Sequence, residues 1–442
     1  MSFSKLGLCS SILKALDEQG YSEPTPVQSK TIPVVLSGKD AVVSAQTGTG
    51  KTASFVLPIL ERLNTERTRR SKRIRALVLV PTRELAMQVE SNIQTYAKHL
   101  ELRSMVMVGG LDSEPQKQAL IDGVDILVAT PGRLLDLAHQ RALYFDELEF
   151  LVLDEADRML DMGFIGDINK IIDRLPKIRQ NLLFSATLSK EVKSLAKTAI
   201  SNPVEISISA NKNSTPKISQ WLVAVDKEKK SALISHLISD LKWPQALIFI
   251  RTKAGAAKLV SQLEKRGISA ESIHSGRSQS VRSRILEDFK SGKISLLVAT
   301  GVAARGIDIE DLSTVVNYDL PDDVDDYIHR IGRTGRAGAS GEAVSLVSRD
   351  DFKRLCAVER KLGQEIERRQ IPEFMVLKDL PESDLNYSKS AHKPKHKPQN
   401  NENSKTKLKP KPKLKSQSKP AKSAEVSSTG RADPWAGWGN KR

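Results

Sequence analysis

The sequence predicts an α/β fold made of two consecutive parallel-sheet domains with a cleft between them. Short apolar, β-rich runs alternate with helical stretches along two separate parts of the chain, and a polar interval divides those parts. Apolar strands separated by helices are typical of a parallel sheet covered on both faces. The length of 442 residues fits two domains and additional segments, at roughly 100–200 residues per domain.

The strands are expected where these apolar runs occur. In the first predicted domain, residues 1–206, the runs lie at 40–45, 76–80, 104–108, 126–129, 148–153 and 181–185. In the second predicted domain, residues 218–372, they lie at 246–250, 269–273, 296–299, 314–317 and 343–347. Residues 207–217 are polar, contain one proline and show no apolar period, so they are predicted to form a linker.

The end of the chain differs in composition from both predicted domains. Residues 388–442 contain 15 Lys and Arg against three acidic residues, which places +12 of the formal net charge of +16 in this segment. Lys, Pro, Ser, Asn and Gln dominate it, so it offers too little apolar surface to offset the entropy of ordering. We therefore expect residues 373–442 to form a connecting segment followed by a disordered basic tail.

Cysteine use and hydropathy indicate the compartment. Cys9 and Cys356 lie far apart, which excludes a disulfide framework and a CxxC metal site and suits a reducing environment. The start MSFSKLGL lacks a signal pattern, and no apolar run approaches the roughly 18–20 residues that span a bilayer. The sequence therefore predicts a soluble cytoplasmic protein without a membrane partner.

A glycine-rich turn with the sequence AQTGTGKT, residues 45–52, lies between a predicted strand and a predicted helix. The glycines allow a tight turn, and the N-terminus of the helix attracts a phosphate chain. Lys51 would reach the outer phosphates, and the hydroxyl of Thr52 would reach a Mg²⁺ ion. The strict pattern has glycine in place of Ala45, so the match is to a looser form, and a chance glycine turn is the alternative. The predicted phosphate-binding residues are Thr47, Gly48, Thr49, Gly50, Lys51 and Thr52.

Two adjacent acids, Asp154 and Glu155, follow the apolar run that ends at Leu153. The carboxyl ends of parallel strands are where α/β sheets present ligands. Asp154 could hold Mg²⁺, and Glu155 could orient or deprotonate a water molecule aimed at a γ-phosphate. The alternative is a solvated acidic turn.

The turn, the Asp-Glu-Ala-Asp run at 154–157 and the Ser-Ala-Thr run at 185–187 together resemble the motifs of DEAD-box ATP-dependent RNA helicases. The resemblance extends from Phe3 to about Arg369, and the start of the chain and its short basic tail are most similar to the bacterial RhlE branch. It implies two RecA-like domains, ATP and Mg²⁺ as cofactors, RNA-stimulated ATP hydrolysis, local unwinding of short RNA duplexes and remodelling of RNA–protein complexes. The implied partner is structured RNA, with ribosomal RNA as one candidate, in a ribosome-assembly or RNA-decay setting.

The resemblance also implies roles for individual residues. Phe3 would stack on adenine, Gln28 would pair with its edge, and Asp308 would touch the ribose. The implied catalytic residues are Lys51, Asp154, Glu155, Arg333 and the arginine finger Arg336. The implied RNA contacts are Pro81, Thr82, Arg83, Gly110, Thr130, Pro131, Gly132 and Arg133 in the first domain, and Arg251, Thr252, Gly276 and Thr300 in the second. Ser185, Thr187 and His329 would couple the ATP state to RNA.

One departure from the family pattern is Gly301, where the family usually has aspartate. Glycine removes a carboxylate and loosens the backbone, so we expect a change in coupling strength and retained activity.

Three other functions share part of this pattern. A GTPase needs a guanine-reading Asn-Lys-x-Asp, but the Asn-Lys at 211–212 is followed by Asn-Ser. A non-enzymatic RNA-binding scaffold could use the basic tail, although the intact Lys51, Glu155 and Arg336 argue against it. A DNA-directed ATPase has the same charge pattern, and the family resemblance alone favours RNA.

Overall fold

The computed structural model describes residues 2–46, 48–65, 70–208, 218–304, 309, 312–335, 341–376, 378–383 and 385. Several sequence predictions lie outside these residues. They are Thr47, Asp308, Arg336, residues 209–217 of the predicted linker and the predicted tail at 388–442.

The first sheet contains seven parallel strands in the order β3-β4-β2-β5-β6-β1-β7. The strands are β1 Ala41–Ser44, β2 Ala76–Leu79, β3 Ser104–Met107, β4 Ile126–Ala129, β5 Phe150–Leu153, β6 Gln180–Ser185 and β7 Val204–Ser207. Every residue of β2, β4 and β5 is buried, as expected for apolar strands covered on both faces.

Helices cover both faces of this sheet. Among the described residues they are α1 Ser10–Glu18, α2 Pro26–Leu36, α3 Lys51–Leu63, α4 Arg83–Tyr96, α5 Ser113–Asp122, α6 Pro131–His139, α7 Ala156–Asp161, α8 Ile165–Ile172 and α9 Lys190–Ala199. The hydrophobic cluster on one face contains residues of α1 to α4, and the cluster on the other contains residues of α5 to α9. Alternate strand residues belong to the two clusters: Val78 packs in the first, and Leu77 and Leu79 pack in the second.

The second sheet repeats the same plan, with the parallel order β10-β11-β9-β12-β13-β8-β14. Its strands are β8 Ile218–Ala224, β9 Ala246–Ile250, β10 Glu271–Ile273, β11 Leu296–Thr300, β12 Thr314–Asn317, β13 Gly341–Val347 and β14 Glu367–Arg369. Its helices are α10 Lys230–Leu241, α11 Lys253–Glu264, α12 Gln279–Lys290, α13 Gly301–Ala304, α14 Val324–Ile331 and α15 Phe352–Leu362. Adding seven to each strand number of the first sheet gives the order of the second.

The predicted fold class, two RecA-like parallel-sheet units in tandem, is confirmed. The sequence prediction omitted β7, β8 and β14. Two of them, β7 and β14, are edge strands, and β14 consists of three charged residues. Strand β8 begins next to the polar interval and opens Ile-Ser-Gln before its apolar part.

Parallel order places all carboxyl ends of a sheet at one edge. In the first sheet, β1, β6 and β5 are neighbours, so the glycine-rich turn, the Ser-Ala-Thr run and the acids follow adjacent strands. Strands β2, β4 and β3 are also neighbours, so the predicted RNA contacts of the first domain form a second group at that edge. Within the described parts of the chain, no helix combines the length and apolar character needed to span a membrane.

Candidate functional site

The glycine-rich turn connects β1 to α3. Gly48 and Gly50 have φ angles of 77° and 86°, the left-handed region that glycine adopts most readily, and Gly50 is the N-cap of α3. The Lys51 side chain is buried and its Nζ donates to the carbonyl of Ala45 over 2.7 Å. The Thr49 hydroxyl donates to the Gln46 carbonyl over 2.7 Å. The turn is therefore held closed by its own side chains.

Gln28 connects the start of α2 to this turn. Its Nε2 donates to the carbonyl of Gly50 over 3.2 Å, and its Oε1 accepts from the amide of Thr25 over 2.9 Å as part of a capping box. A Cβ at Gly50 would collide with the Gln28 amide. The predicted base-reading residue thus lies against the predicted phosphate turn, and Phe3 is buried in the same cleft.

One cleft of about 420 Å³ brings most of the predicted nucleotide residues together. The predicted residues that line it are Phe3, Gln28, Gly48, Gly50, Lys51, Thr52, Asp154, Glu155 and Arg333. Arg333 follows α14 of the second sheet, whereas all the others belong to the first sheet. The cleft is therefore composite: a cation from one sheet lines it with the turn and acids of the other.

Asp154 is an almost fully buried carboxyl at the end of β5. Burial raises the pKa of Asp154 to about 7, the positive charge of Lys51 acts in the opposite direction, and the neighbouring Glu155 adds to the rise. Its Oδ1 accepts from the amide of Glu155 over 2.9 Å. A divalent cation bound beside Asp154 would stabilise the charged form that burial disfavours.

Glu155 adopts a strained backbone. Its φ of 52° and ψ of 50° are left-handed, a conformation that costs a non-glycine residue about 1–3 kcal/mol. Its buried Oε2 lies 3.4 Å from Arg158 Nη1 and accepts no hydrogen bond within the described residues. This oxygen is ion-paired with Arg158 but accepts no hydrogen bond from the described residues, so it can accept one from a bound molecule.

Asp157 belongs to the run at 154–157, but the sequence analysis gave it no role of its own. Its Oδ2 accepts from the amide of Ala186 over 3.0 Å, from the amide of Thr187 over 2.9 Å and from the Thr187 hydroxyl over 3.1 Å. The Ser185 hydroxyl donates to the Thr187 carbonyl over 2.6 Å. The acidic run and the Ser-Ala-Thr run therefore form one hydrogen-bonded unit. The only sequence feature that could have indicated a role for Asp157 was its position, three residues after Asp154 on the first turn of a helix.

His329, on α14, faces this unit from the second sheet. Burial lowers the pKa of His329, as does the positive charge of Arg158, while Asp157 and Glu155 act in the opposite direction. The predicted coupling histidine thus lies near enough to Asp157 and Glu155 for their charges to act on it.

The predicted RNA contacts of the first sheet follow β2, β3 and β4. Thr82 is the N-cap of α4, and its Oγ1 accepts from the amide of Leu85 over 3.3 Å. The Arg83 guanidinium packs across Gly110, where a Cβ would collide with it. Arg133 Nη2 donates to the carbonyl of Leu111 over 2.9 Å. The remaining predicted residues of this group, Pro81, Thr130, Pro131 and Gly132, lie at the same ends of β2 and β4.

The predicted RNA contacts of the second sheet occupy the equivalent positions. Thr252 follows β9 and caps α11, its Oγ1 accepting from Gly255 over 3.0 Å, just as Thr82 follows β2 and caps α4. Gly276 follows β10 as Gly110 follows β3, and Thr300 ends β11 where Thr130 follows β4. Arg251 also follows β9, and its amide donates to Asp319 Oδ2 over 3.0 Å. The two sheets therefore present matching groups at matching strand ends.

A buried cluster joins helix α4 of the first sheet to α12 of the second. Glu84 Oε1 accepts from Gln279 Nε2 over 2.9 Å and lies 2.8 Å from Arg282 Nη2. All three side chains are buried. Sequence reasoning missed this cluster, because its members are about 195 positions apart.

Comparisons with known proteins agree with this geometry. Residues 25–195 match the DEAD/DEAH box helicase family, and residues 228–338 match the helicase conserved C-terminal domain. The RNA helicase CrhR of Synechocystis sp. is 41% identical over 372 residues, 84% of this chain and 75% of that protein. The DEAD-box ATP-dependent RNA helicase CshA of Streptococcus pneumoniae is 42% identical over 359 residues, 81% of this chain and 68% of that protein. The structure of S. cerevisiae Dbp5 bound to RNA and ADP BeF3 superposes with a TM-score of 0.75 at 32% identity, covering 84% of this chain and 95% of that chain.

Proposed function

This chain belongs to the DEAD-box family of ATP-dependent RNA helicases, and from that premise we propose that it opens short RNA duplexes and remodels RNA–protein complexes. The observation that carries the proposal is the composite cleft, in which Arg333 of the second sheet lines the same space as Lys51, Asp154 and Glu155 of the first. Hydrolysis would then depend on how the two sheets meet.

In the proposed reaction, Lys51 binds the outer phosphates of ATP and Gln28 and Phe3 hold the adenine. Glu155 orients the attacking water and accepts its proton as the bond from the water oxygen to the γ-phosphorus forms and the bond to the leaving ADP breaks. Its buried Oε2, which accepts no hydrogen bond from the described residues, supports this role. Arg333 would stabilise the charge that develops on the γ-phosphate. The sequence resemblance alone supports the same role for Arg336 and a ribose contact for Asp308.

We propose that Mg²⁺ is held by Thr52 and Asp154. Burial and the adjacent Glu155, which raise the pKa of Asp154, support a site that favours an added cation. Bound there, Mg²⁺ would neutralise phosphate charge. Asp154 and Thr52 would then supply oxygen ligands, and the positive charge of Lys51 would also act on Asp154.

We propose that Asp157 carries the ATP state to the Ser-Ala-Thr run. Its three hydrogen bonds to Ala186 and Thr187 support a direct mechanical connection, because a shift of α7 would move Asp157 and that run together. His329 would sense the same shift from the second sheet. Ser185 and Thr187 are then positioning residues, since they act through Asp157 and touch no nucleotide in this scheme.

The proposed RNA surface is the row of matching groups at the strand ends of both sheets. Its hydroxyls, glycine turns and arginines suit phosphate and 2′-OH groups, so the core should show little sequence preference. Structured RNA, with ribosomal RNA as one candidate, is the proposed substrate. A cytoplasmic setting in ribosome assembly or RNA decay is likewise proposed.

Membership of the RhlE branch is a proposal supported by the MSFSKLGL start and the basic tail, whereas the relatives described above carry the names CrhR and CshA.

The test is the steady-state ATPase rate with no nucleic acid, with single-stranded and duplex RNA, and with DNA of the same sequence. We expect RNA, and not DNA, to raise the ATPase rate. Glu155→Gln should lower the RNA-stimulated rate by roughly 10²–10⁴-fold, the usual contribution of a general base, and should retain ATP binding. Glu205→Gln, an exposed glutamate on β7, is the control. Equal stimulation by DNA would favour a DNA-directed ATPase, and a Glu155→Gln rate within twofold of wild type would remove Glu155 from the mechanism.

A further inference from the structure

An arginine fastens helix α14 to the second sheet. Arg330 Nη1 donates to the carbonyl of Asp319 over 2.9 Å and to Asn317 Oδ1 over 3.4 Å, and its guanidinium lies 4.9 Å from the centre of the Phe249 ring. These contacts reach the ends of β9 and β12. Arg330 therefore sets where α14 lies, and α14 carries His329 and leads into Arg333.

Asp326 provides a carboxylate for this arginine from within the same helix. Its Oδ2 lies 3.3 Å from Arg330 Nη2, one helical turn away, and the two side chains are 12% and 7% exposed. This charge-assisted hydrogen bond is longer than the usual length of about 2.7–2.9 Å, but it lies between two largely buried groups. The pair thus helps to orient the guanidinium, together with its contacts to the sheet.

The pair lies against Gly301, the position at which the sequence departs from the family pattern. A Cβ at Gly301 would lie 3.2 Å from Arg330 Nη2 and 3.4 Å from Asp326 Oδ2. The φ angle of Gly301 is not positive, so its backbone conformation does not require glycine. A Cβ there would be tight against the Arg330 guanidinium and in ordinary contact with Asp326, so a longer side chain at position 301 would reach the Asp326–Arg330 pair.

We propose that Asp326 is a positioning residue, and that a carboxylate placed at position 301 can take over its contact with Arg330. Asp326 holds Arg330 so that α14 presents His329 and Arg333 to the acids of the first sheet. Because Gly301 directly follows Thr300, the same contact connects the proposed RNA end of β11 with the cleft. The inference rests on the roles proposed above for Arg333 and His329.

The test exchanges the carboxylate between the two positions. Asp326→Ala should lower the RNA-stimulated kcat by about 2- to 30-fold, the range for residues that couple two sites without touching either ligand. The KM for ATP should change less than kcat, because Arg333 acts mainly on the transition state. Gly301→Asp in the Asp326→Ala background should restore most of the lost kcat. In the wild-type background the same Gly301→Asp change should lower kcat, because two carboxylates then compete for one guanidinium.

Asp325→Ala is the matched control, since Asp325 lies on the same helix but pairs with Lys361, with the lysine and aspartate side chains 52% and 53% exposed. We expect its kcat to stay within twofold of wild type. Asp326→Asn keeps the shape and removes the charge, so it replaces Asp326→Ala if that variant does not fold. Wild-type kcat in both Asp326 variants, or a loss that Gly301→Asp fails to restore, would overturn the proposal. Arg333→Ala, measured in parallel, separates failure of the proposed function from failure of this inference. A fully active Arg333→Ala variant would remove the proposed role of Arg333 itself.

Discussion

Glu84→Gln tests whether the buried cluster between α4 and α12 holds the two sheets in the RNA-binding arrangement. The substitution keeps the size of the side chain and removes its charge. Arg282 then remains buried beside a neutral amide, with 8% of its side chain exposed. Burial already lowers the pKa of Arg282, and Glu84 acts in the opposite direction, which shows that the carboxylate offsets part of the desolvation.

The expected magnitude follows from this geometry. Removing one partner of a buried pair usually costs about 3–5 kcal/mol, but the amide can still accept a hydrogen bond from Gln279 or Arg282. We therefore take the lower value for a lost charged hydrogen bond, about 1.5–3 kcal/mol. If the cluster forms only when the sheets meet, this energy reduces the population of the binding-competent arrangement, and the apparent Kd for RNA rises by roughly 10- to 150-fold.

The assay is fluorescence anisotropy of labelled single-stranded RNA with the full-length protein and a non-hydrolysable ATP analogue. The control is Glu367→Gln, since Glu367 and Arg369 form a Glu–Arg pair at the same 2.8 Å distance but at 58% and 42% exposure. Exposed ion pairs contribute little to stability, and this pair lies on an edge strand, so the Kd of the Glu367→Gln variant for RNA should stay near the wild-type value. The double variant Glu84→Gln/Arg282→Gln should recover part of the loss, because no unpaired guanidinium remains.

Two results would refute this reasoning. One is a Kd for Glu84→Gln within twofold of wild type. The other is a double variant whose loss equals the sum of the two single losses, because additivity means that the side chains do not interact.

Two further predictions concern charge outside the cleft. Deleting residues 388–442 should weaken RNA binding at low salt and reduce the log–log slope of affinity against salt by roughly 0.7 for each phosphate that the tail neutralises on a single strand. The RNA-saturated ATPase rate should change little. RNA titrations at several salt concentrations check this, and coincident slopes for the full-length and shortened proteins would contradict it. Burial, together with Arg277, Lys253 and Arg282, lowers the pKa of His274 in the folded protein, so the unfolded chain binds the proton more tightly. Lowering the pH from about 7.5 through the usual pKa of about 6.5 should therefore reduce the free energy of unfolding. Denaturant titrations should show a smaller pH dependence for His274→Gln, and identical pH dependence in both proteins would exclude His274 as the source.

The sequence allowed most of the sheet architecture to be predicted, because central parallel strands are short apolar runs that local composition reveals. It did not reveal β14, whose three charged residues resemble a surface turn. Its place depends on tertiary contacts: it pairs with β8, and the Arg369 guanidinium lies 4.6 Å from the centre of the Trp221 ring. Edge strands of this kind are specified by their neighbours more than by their own residues.

The candidate site was predictable where chemistry is concentrated in one short run. Lys51, Asp154 and Glu155 belong to such runs, and the cleft brings them together. Glu84 and Arg282 were missed because each resembles an ordinary surface charge of an amphipathic helix. Only folding shows that they are buried against each other. The pairing of Asp326 with Arg330 lies between these two cases. Its spacing of four residues is visible in the sequence, but its contact with Gly301 is visible only in the fold.

The shared strand order of the two sheets determines how each contributes to the cleft. Strands β1 and β8 hold the same place, but β1 leads into the glycine-rich turn whereas β8 leads into Val225, Asp226 and a short 3-10 turn at Lys227–Lys229. The second sheet contributes Arg333 to the cleft from the end of α14 and has no glycine-rich turn after β8. Neither scaffold therefore carries the full set of cleft residues, and the set is assembled only where the two scaffolds meet.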